Sequence, residues 1–497
     1  MAAYTGLLLT HIYLLKLPYF WDEAGYYIPA ARDLLLAGSL IPISTVSNAH
    51  PPLVLVTLAL CWKIFGFTPI VTRMAMLGWA AFALTGLFLL TKSVQNRSVA
   101  TAATLCVAAY PVFFAQSSLV HVDLPAAGLS FWGLTEFFSN RRWRAAIWFS
   151  AATLAKETAV ITAAALLCWL VIEILKRREK WNSLIPLLAS FLPLLAWYCF
   201  HYVKTGFVFG NPEFFRYNVQ STVQPLRVAL AFPIRIWQSV GYLHLWLLTL
   251  IAVAAMWLSP ARDGDIERPR IAVQVQFAFL LIIVAYAVAL SFVGGAVLAR
   301  YMLPATPLAI IVFVSTIWRR VPRWTVLIAL AIGTFCAGWF LNPPYGFSPE
   351  DNLAYRDYIR LHQNAEAFLQ ARYAKSRVLT AWPASDELTR TYLGYVTNPM
   401  GIVRIDDFSI EQLMSAAEAR TNFDVALVFS TKYDPHNAFA ERWSPWEKYK
   451  QRFFDYHRDV PPPAAAQILG GYVVFSESLK GQWIAVIELP RAVQARK

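Results

Sequence analysis

Five places in this chain put side chains capable of proton or phosphate chemistry where apolar segments meet water. They are Trp21-Asp22-Glu23, His50-Pro51-Pro52, His121-Val122-Asp123-Leu124-Pro125, Lys156-Glu157 and Arg300-Tyr301. A carboxylate at such a boundary carries a desolvation cost that a structural role seldom requires, so the paired acids Asp22 and Glu23 mark a functional site. An acid within hydrogen-bond reach can take a proton from an attacking hydroxyl. Arg and Lys supply fixed positive charge for a departing phosphate, Arg in bidentate geometry and Lys as a point charge. Together these residues suit group transfer in which a hydroxyl attacks and a phosphate leaves.

Each candidate has a plainer reading beside it. Asp123 before Leu-Pro is a good helix N-cap, a role compatible with facing a cavity. Lys156 could snorkel to water from a helix end. Lys156 and Glu157 are chain neighbours, so on a helix their side chains diverge instead of pairing. Arg300-Tyr301 could anchor a span at the interface, and His50 before two prolines could cap a helix. Asp22-Glu23, after the aromatic run Tyr19-Phe20-Trp21, gain nothing by packing.

The elements that must hold these residues follow from composition. Of 497 residues, 58% are hydrophobic and 15% charged, more apolar surface than a soluble chain of this length could hide, which indicates a multi-pass membrane protein. The first apolar run lacks the basic start and small-residue cleavage site of a cleavable leader. Five cysteines, all in apolar stretches and with no CxxC, suggest neither a disulfide framework nor a zinc site. The net charge of +13 does not form a nucleic-acid patch. Residues 343–497 balance 18 basic against 18 acidic side chains, and the excess lies in residues 1–342.

Hydropathy places a short first span at 1–20, burdened by His11 and Lys16, and further spans near 72–91, 98–116, 124–139, 145–156, 158–175, 183–202, 236–258, 272–293, 301–318 and 325–342. Residues 24–37 read as an amphipathic helix lying in the interface. Residues 53–67 contain Lys63 and fall short of a span, so they read as a second juxtamembrane helix. With eleven crossings, the basic loops at 92–97, 140–144, 176–181, 259–270 and 318–324 all share one side, the cytoplasm by the positive-inside rule. Counting 53–67 as a crossing would export every one of them. The N-terminus is then cytoplasmic, and the candidate residues and 343–497 are extracytoplasmic. The long aromatic segment 203–235 is a working loop or an interfacial anchor.

After Asn342-Pro343-Pro344 the pattern becomes mixed α/β. Helices are expected at 350–371 and 408–420, strands at 377–382, 424–429, 471–476 and 483–488, and a linker at the Pro461–Pro463 and Ala464–Ala466 stretch. The fold class is therefore mainly α: a polytopic helical domain, 1–342, followed by an extracytoplasmic α/β domain, 343–497.

The order DE, HPP, VDLP, AKE, RYMLP resembles the C-type membrane glycosyltransferases. Within them it is similar to the bacterial branch of protein O-mannosyltransferases and the lipid A aminoarabinose transferase. The similarity covers most of residues 1–320 and is most specific at WDEAGYYIPAARDLLLAG and RYMLP. It implies an inverting transferase with a polyprenyl-phosphate sugar donor, an extracytoplasmic site and juxtamembrane helices in the first outer loop. On this resemblance Asp22 is the base or acceptor-positioning acid, with Glu23 beside it, and Asp123 is the second acid. Lys156, Arg300, Tyr301 and His50 fall at donor-phosphate positions. His50 departs from the aminoarabinose branch, which has Lys before its Pro, and this weakens any assignment of a lipid A substrate. Some relatives hold a divalent cation between such acids; Asp22 and Asp123 are the candidates here. The implied partners are the lipid-linked donor, a protein, lipid or glycan acceptor, and membrane lipids of the bacterial inner membrane, with no nucleic acid.

Two other classes compete. A lipid or glycan transporter or flippase needs ionisable groups near the bilayer midplane, broken helices and often repeated halves; no repeat is visible, and the charges sit at span ends. A noncatalytic scaffold with an exported binding domain would leave Asp22-Glu23 idle.

Overall fold

A computed structural model describes residues 1–433, 444–454 and 456–490. The chain divides into two compact units, Met1–Leu15 with Ala30–Leu341, and Lys16–Pro29 with Asn342–Lys497. Residues 16–29 thus group with the C-terminal residues, although in sequence they lie within the hydrophobic part. The parts of the C-terminal domain at 434–443, 455 and 491–497 lie outside the described residues.

The first unit is helical, and local chemistry sets its breaks. Thr68 caps Pro69–Val94 by accepting from the Val71 N–H at 3.3 Å, with Pro69 opening the helix. Asn96 does the same for Arg97–Ala109, accepting from Val99 at 2.9 Å. The span expected at 98–116 breaks at Tyr110, and a short helix, Pro111–Gln116, follows. Proline lacks the N–H that would continue the first helix. Leu53–Phe65 ends at Gly66, whose φ of +86° suits only glycine.

The span expected at 236–258 is sharply bent. Two helices, Pro225–Val240 and Leu245–Ala255, meet at 76°. Gly241 ends the first, and Leu243 and His244 adopt positive φ. Hydropathy runs on across this corner because the corner residues are themselves apolar or aromatic. By length and composition four helices among the described residues suffice to cross a membrane, Pro69–Val94, Glu157–Leu175, Trp181–Thr205 and Val273–Phe292, or five with the bent pair. Several further apolar helices are shorter.

In the second unit, strands β1 (Arg377–Ala381), β2 (Gly401–Ile405), β3 (Val425–Phe429), β4 (Tyr472–Leu479) and β5 (Gln482–Glu488) form one mixed sheet in the order β2-β1-β3-β5-β4. β1 is parallel to β2 and β3, and β5 is antiparallel to β3 and β4. Every β3 residue is buried, as a continuous VALVF run requires of a central strand. Lys480-Gly481, both at positive φ, turn β4 into β5. The expected linker at 461–466 is instead part of a helix, Pro462–Leu469. Proline is accepted in the first helical turn and alanine is the best helix former, so the same residues start a helix as readily as they make a linker.

Residues 16–29 are built into this second unit. The Tyr395 hydroxyl donates to the Tyr19 carbonyl at 3.1 Å. Phe20 meets Tyr358 edge-on at 5.1 Å, and Trp21, at φ +46°, meets Trp382 at 5.2 Å. The helix expected at 24–37 begins with a π-helical turn, Glu23–Tyr27, and only then becomes α over Ile28–Ala37. Gly25 is required there: a Cβ would stand 2.5 Å from the Trp382 indole nitrogen.

Candidate active site

Three of the residues singled out by sequence meet in the first unit. Asp123 opens the helix Asp123–Phe138, Lys156 is the extended residue that ends Arg142–Ala155, and Arg300 lies in a single 3-10 turn, Ala299–Met302. One Asp123 carboxylate oxygen takes the Lys156 ammonium. The other stands 3.4 Å from Arg300 Nε. All three side chains are no more than 7% exposed. The Tyr301 ring lies 3.9 Å from Lys156 Nζ, within cation–π range.

The capping role expected of Asp123 is not what it does. The cap position is Val122, and no side chain bonds there; the carboxylate is spent on two cations instead. With both oxygens facing cations, Asp123 fits an ion pair, and a divalent ion at this carboxylate would be repelled by Lys156 and Arg300.

Lys156 and Glu157 diverge as neighbours must. Lys156 turns to Asp123, while Glu157 pairs with His50 Nδ1 at 3.1 Å. His50 is held near this point because the segment before it is tied down: Trp197 Nε1 donates to the Ala49 carbonyl at 2.9 Å, and Ser47 Oγ bonds His201 at 2.8 Å.

The aromatic segment 203–235 forms two short helical turns and runs into Pro225–Val240. It braces the backbone that leads to Arg300. The Asn218 carbonyl accepts from Gly294 N at 2.7 Å, and Arg227 donates to the Gly294 carbonyl at 2.8 Å. Arg235, fully buried, donates to the Leu298 carbonyl at 2.8 Å. In the structure this segment therefore acts as a brace for the site.

Two neighbours of the site were not singled out from sequence. His121, fully buried, has Nε2 3.0 Å from Arg300 Nη1 and Nδ1 2.7 Å from Gln116 Oε1. An imidazole that accepts from a guanidinium at Nε2 and donates to an amide oxygen from Nδ1 is the neutral tautomer. Burial first, then the charges of Arg300, Lys156 and Arg73, hold it well below the ordinary histidine range. Arg73, also buried, donates to the Ser118 carbonyl at 2.8 Å and fixes the loop carrying His121. His121 stands two residues before Asp123 in the quoted motif, but only tertiary structure shows which group it faces.

Asp22 and Glu23 lie in the other unit. Glu23 is fully buried, and its carboxylate accepts from the Phe20 N–H at 2.8 Å, which closes the turn that precedes the π-helix. That bond gives Glu23 a local structural task. Asp22 is half-buried and directly precedes the π-helical turn, a rare backbone form that is frequent at functional sites.

Residues 49–197 match the family model of dolichyl-phosphate-mannose-protein mannosyltransferase. The whole chain superposes on ArnT from Cupriavidus metallidurans bound to undecaprenyl phosphate, with a TM-score of 0.58 at 13% identity, covering 97% of this chain and 96% of that one. The apo form of that protein gives 0.53 at 14% identity, with 97% of each chain covered. A comparison with curated protein sequences returns no match. The chain thus has the C-type membrane glycosyltransferase fold expected from its motifs, with a sheet-containing C-terminal domain, and it is an integral membrane protein.

Proposed function

We propose that this chain is an inverting glycosyltransferase that moves a sugar from a polyprenyl-phosphate donor to an acceptor hydroxyl at the outer face of the bacterial inner membrane. The observation that carries this reading is the convergence of Lys156 and Arg300 on Asp123 beside a neutral His121. The family model and a fold shared with a protein bound to undecaprenyl phosphate support it.

The acceptor oxygen attacks the anomeric carbon as the bond from that carbon to the phosphate oxygen breaks. The electron pair leaves with the polyprenyl phosphate, which gains one negative charge. Lys156 and Arg300 carry two positive charges against one on Asp123, so this trio has an excess of positive charge to meet the donor phosphodiester. Stabilisation grows as the phosphate becomes a dianion: an added unit charge about 4 Å from a cation is worth about 4 kcal/mol at an effective dielectric of 20. Such groups accelerate transfer because they bind the leaving state more strongly than the bound donor. A neutral His121 adds no third cation, and its Nε2 lone pair fixes the guanidinium without consuming its charge.

Asp22 is the proposed base or acceptor-positioning acid, and Glu23 supports its turn. The proposed orientation has the N-terminus cytoplasmic, eleven crossings, and residues 343–497 outside. The acceptor is a protein, lipid or glycan hydroxyl. A flippase reading has less support, because the clustered charges lie at helix ends.

The test is transfer of radiolabelled sugar from a purified polyprenyl-phosphate donor by the full-length protein in detergent. Asp22→Asn should abolish transfer and leave donor binding intact, and sustained turnover would remove Asp22 as the base. Arg300→Ala should lower kcat/KM for the donor by about 100- to 1,000-fold, the usual size of a lost oxyanion contact. Unchanged donor dependence would take Arg300 out of the phosphate site.

A further inference from the structure

Within the second unit, a group of polar side chains has no role in the transfer chemistry. His362 and Glu366 lie one turn apart on the helix Ala354–Tyr373, and Glu387 faces them from the short helix Ala384–Thr389. All three side chains are at most 1% exposed. His362 Nδ1 stands 2.6 Å from Glu387 Oε2 and 3.7 Å from Glu366 Oε1. One ligand atom from each residue falls within 4.8 Å of the others.

This arrangement is costly as a purely structural core. Apart from the carboxyl–carboxyl contact between Glu366 and Glu387, neither Glu366 oxygen has a hydrogen-bond partner among the described residues, and neither does Glu387 Oε1 or His362 Nε2. No Lys or Arg among the described residues forms an ion pair with either carboxylate. Two buried carboxylates can share one imidazole only by leaving charge uncompensated or by retaining a proton, and buried unpaired charge costs several kcal/mol per ion.

We propose that His362, Glu366 and Glu387 bind a divalent transition-metal ion of the zinc class. One imidazole nitrogen and two carboxylate oxygens form a three-ligand set with a position left for a water. The charge of the ion cancels that of the two carboxylates. The spacing is close to what a tetrahedral ion needs: donors about 2.0 Å from the metal stand about 3.3 Å apart. Binding would open the shorter contact by about 0.7 Å and close the longer one by about 0.4 Å. The His-x-x-x-Glu spacing puts both helix ligands on one face.

The ion would pin Ala384–Thr389 to Ala354–Tyr373. Its position matters for the neighbouring turn, because the Tyr358 ring stacks on His362 at 3.9 Å and also meets Phe20 at 5.1 Å and Trp21 at 5.7 Å. The metal would therefore stiffen the platform on which the residues before Asp22 rest. It takes no part in transfer, so its presence does not depend on the donor chemistry proposed above.

The full-length protein, purified without a polyhistidine tag, is stripped with a chelator, reloaded with Zn²⁺ and assayed by elemental analysis. Wild type should retain about one zinc per chain. The isosteric Glu366→Gln variant should bind at least about tenfold more weakly, since even outer-shell changes cost 10- to 100-fold in affinity. Zn²⁺ should raise the thermal midpoint of wild type and leave that of Glu366→Gln unmoved. Asp123→Asn, in the other unit, should keep its zinc. A wild-type protein that neither retains zinc nor is stabilised by it would overturn the proposal. A Glu366→Gln variant that binds zinc as wild type does would overturn it as well. Zinc-free wild type with a fully stable Glu366→Gln variant would identify a proton-sharing carboxyl pair instead.

Discussion

Replacing Asp123 by Asn tests whether its carboxylate stands in the donor phosphate's electrostatic place. The substitution keeps the shape and removes one negative charge from between Lys156 and Arg300, at most 7% and 3% exposed. Two buried cations then face each other without that carboxylate between them. Breaking a buried pair by removing one partner costs about 3–5 kcal/mol, so Asp123→Asn should unfold in detergent at clearly lower denaturant or temperature than wild type. The phosphate-bearing lipid should reverse much of this loss. In wild type an incoming phosphate competes with Asp123 for the same two cations, and in the variant it does not. Polyprenyl phosphate should therefore bind Asp123→Asn at least about tenfold more tightly, a difference of about 1.4 kcal/mol. At 100 times its dissociation constant the lipid adds about 2.7 kcal/mol of stability. Adding Lys156→Met to Asp123→Asn should restore stability without lipid, because only one cation remains. A variant as stable as wild type, with lipid affinity unchanged or reduced, would refute the reasoning.

The imidazole of His121 gives a pH test. Its folded-state affinity for protons is depressed, so neutral His121 contributes stability above about pH 6.5 that is lost as pH falls below that value. The unfolded chain takes up a proton there that the folded chain refuses, at up to about 1.4 kcal/mol per pH unit. Unfolding curves between pH 7 and 5 should show this slope in wild type and a shallower one in His121→Gln; equal slopes would contradict a neutral buried imidazole. Gly25→Ala should strain the turn after Asp22, because the new methyl meets the Trp382 ring at 2.5 to 2.8 Å. Overpacking of this kind costs about 1–3 kcal/mol, and Trp382→Phe should recover most of it. A Gly25→Ala protein of wild-type stability would show that the ring can move aside.

What sequence could and could not show divides along physical lines. Charge counting and hydropathy are additive along the chain, so they located the helices, the basic loops and the change of character at Asn342. The motif residues Asp123, Lys156 and Arg300 were legible because charged side chains at span ends are rare enough to stand out. Their partners were not. His121 and Arg73 take their significance from what folds against them, and an arginine such as Arg235 beside Trp237 reads equally well as an interfacial anchor. The corner at Gly241–His244 escaped because an apolar run hides a bend that only backbone dihedrals reveal. Strand β2 escaped because GIVRI is short, begins with glycine and carries a charge. The assignment of residues 16–29 to the second unit depends on rings at Tyr358 and Trp382, more than 300 residues away in sequence.

The two ionisable clusters show why acids cannot be assigned roles by type alone. Asp123 is surrounded by cations and holds them ready for an anion. Glu366 and Glu387 face each other across a histidine, with no Lys or Arg ion-paired to either carboxylate among the described residues. Glu23 is spent on a backbone N–H in its own turn. Each is buried, yet one environment invites an anion, one invites a cation and one is closed. The sign of the surrounding charge, which sequence does not carry, decides which ligand each can take. Of these three acids, Asp123 should therefore take a phosphate beside it, and Glu366 a metal. Loading Zn²⁺ and polyprenyl phosphate together should show the two binding independently, each leaving the other's affinity within about twofold, because linkage between sites requires a shared conformational change. Strong coupling between them would mean that the platform beneath Trp21 moves with the transfer site, and the metal would then have to be counted as part of the catalytic cycle.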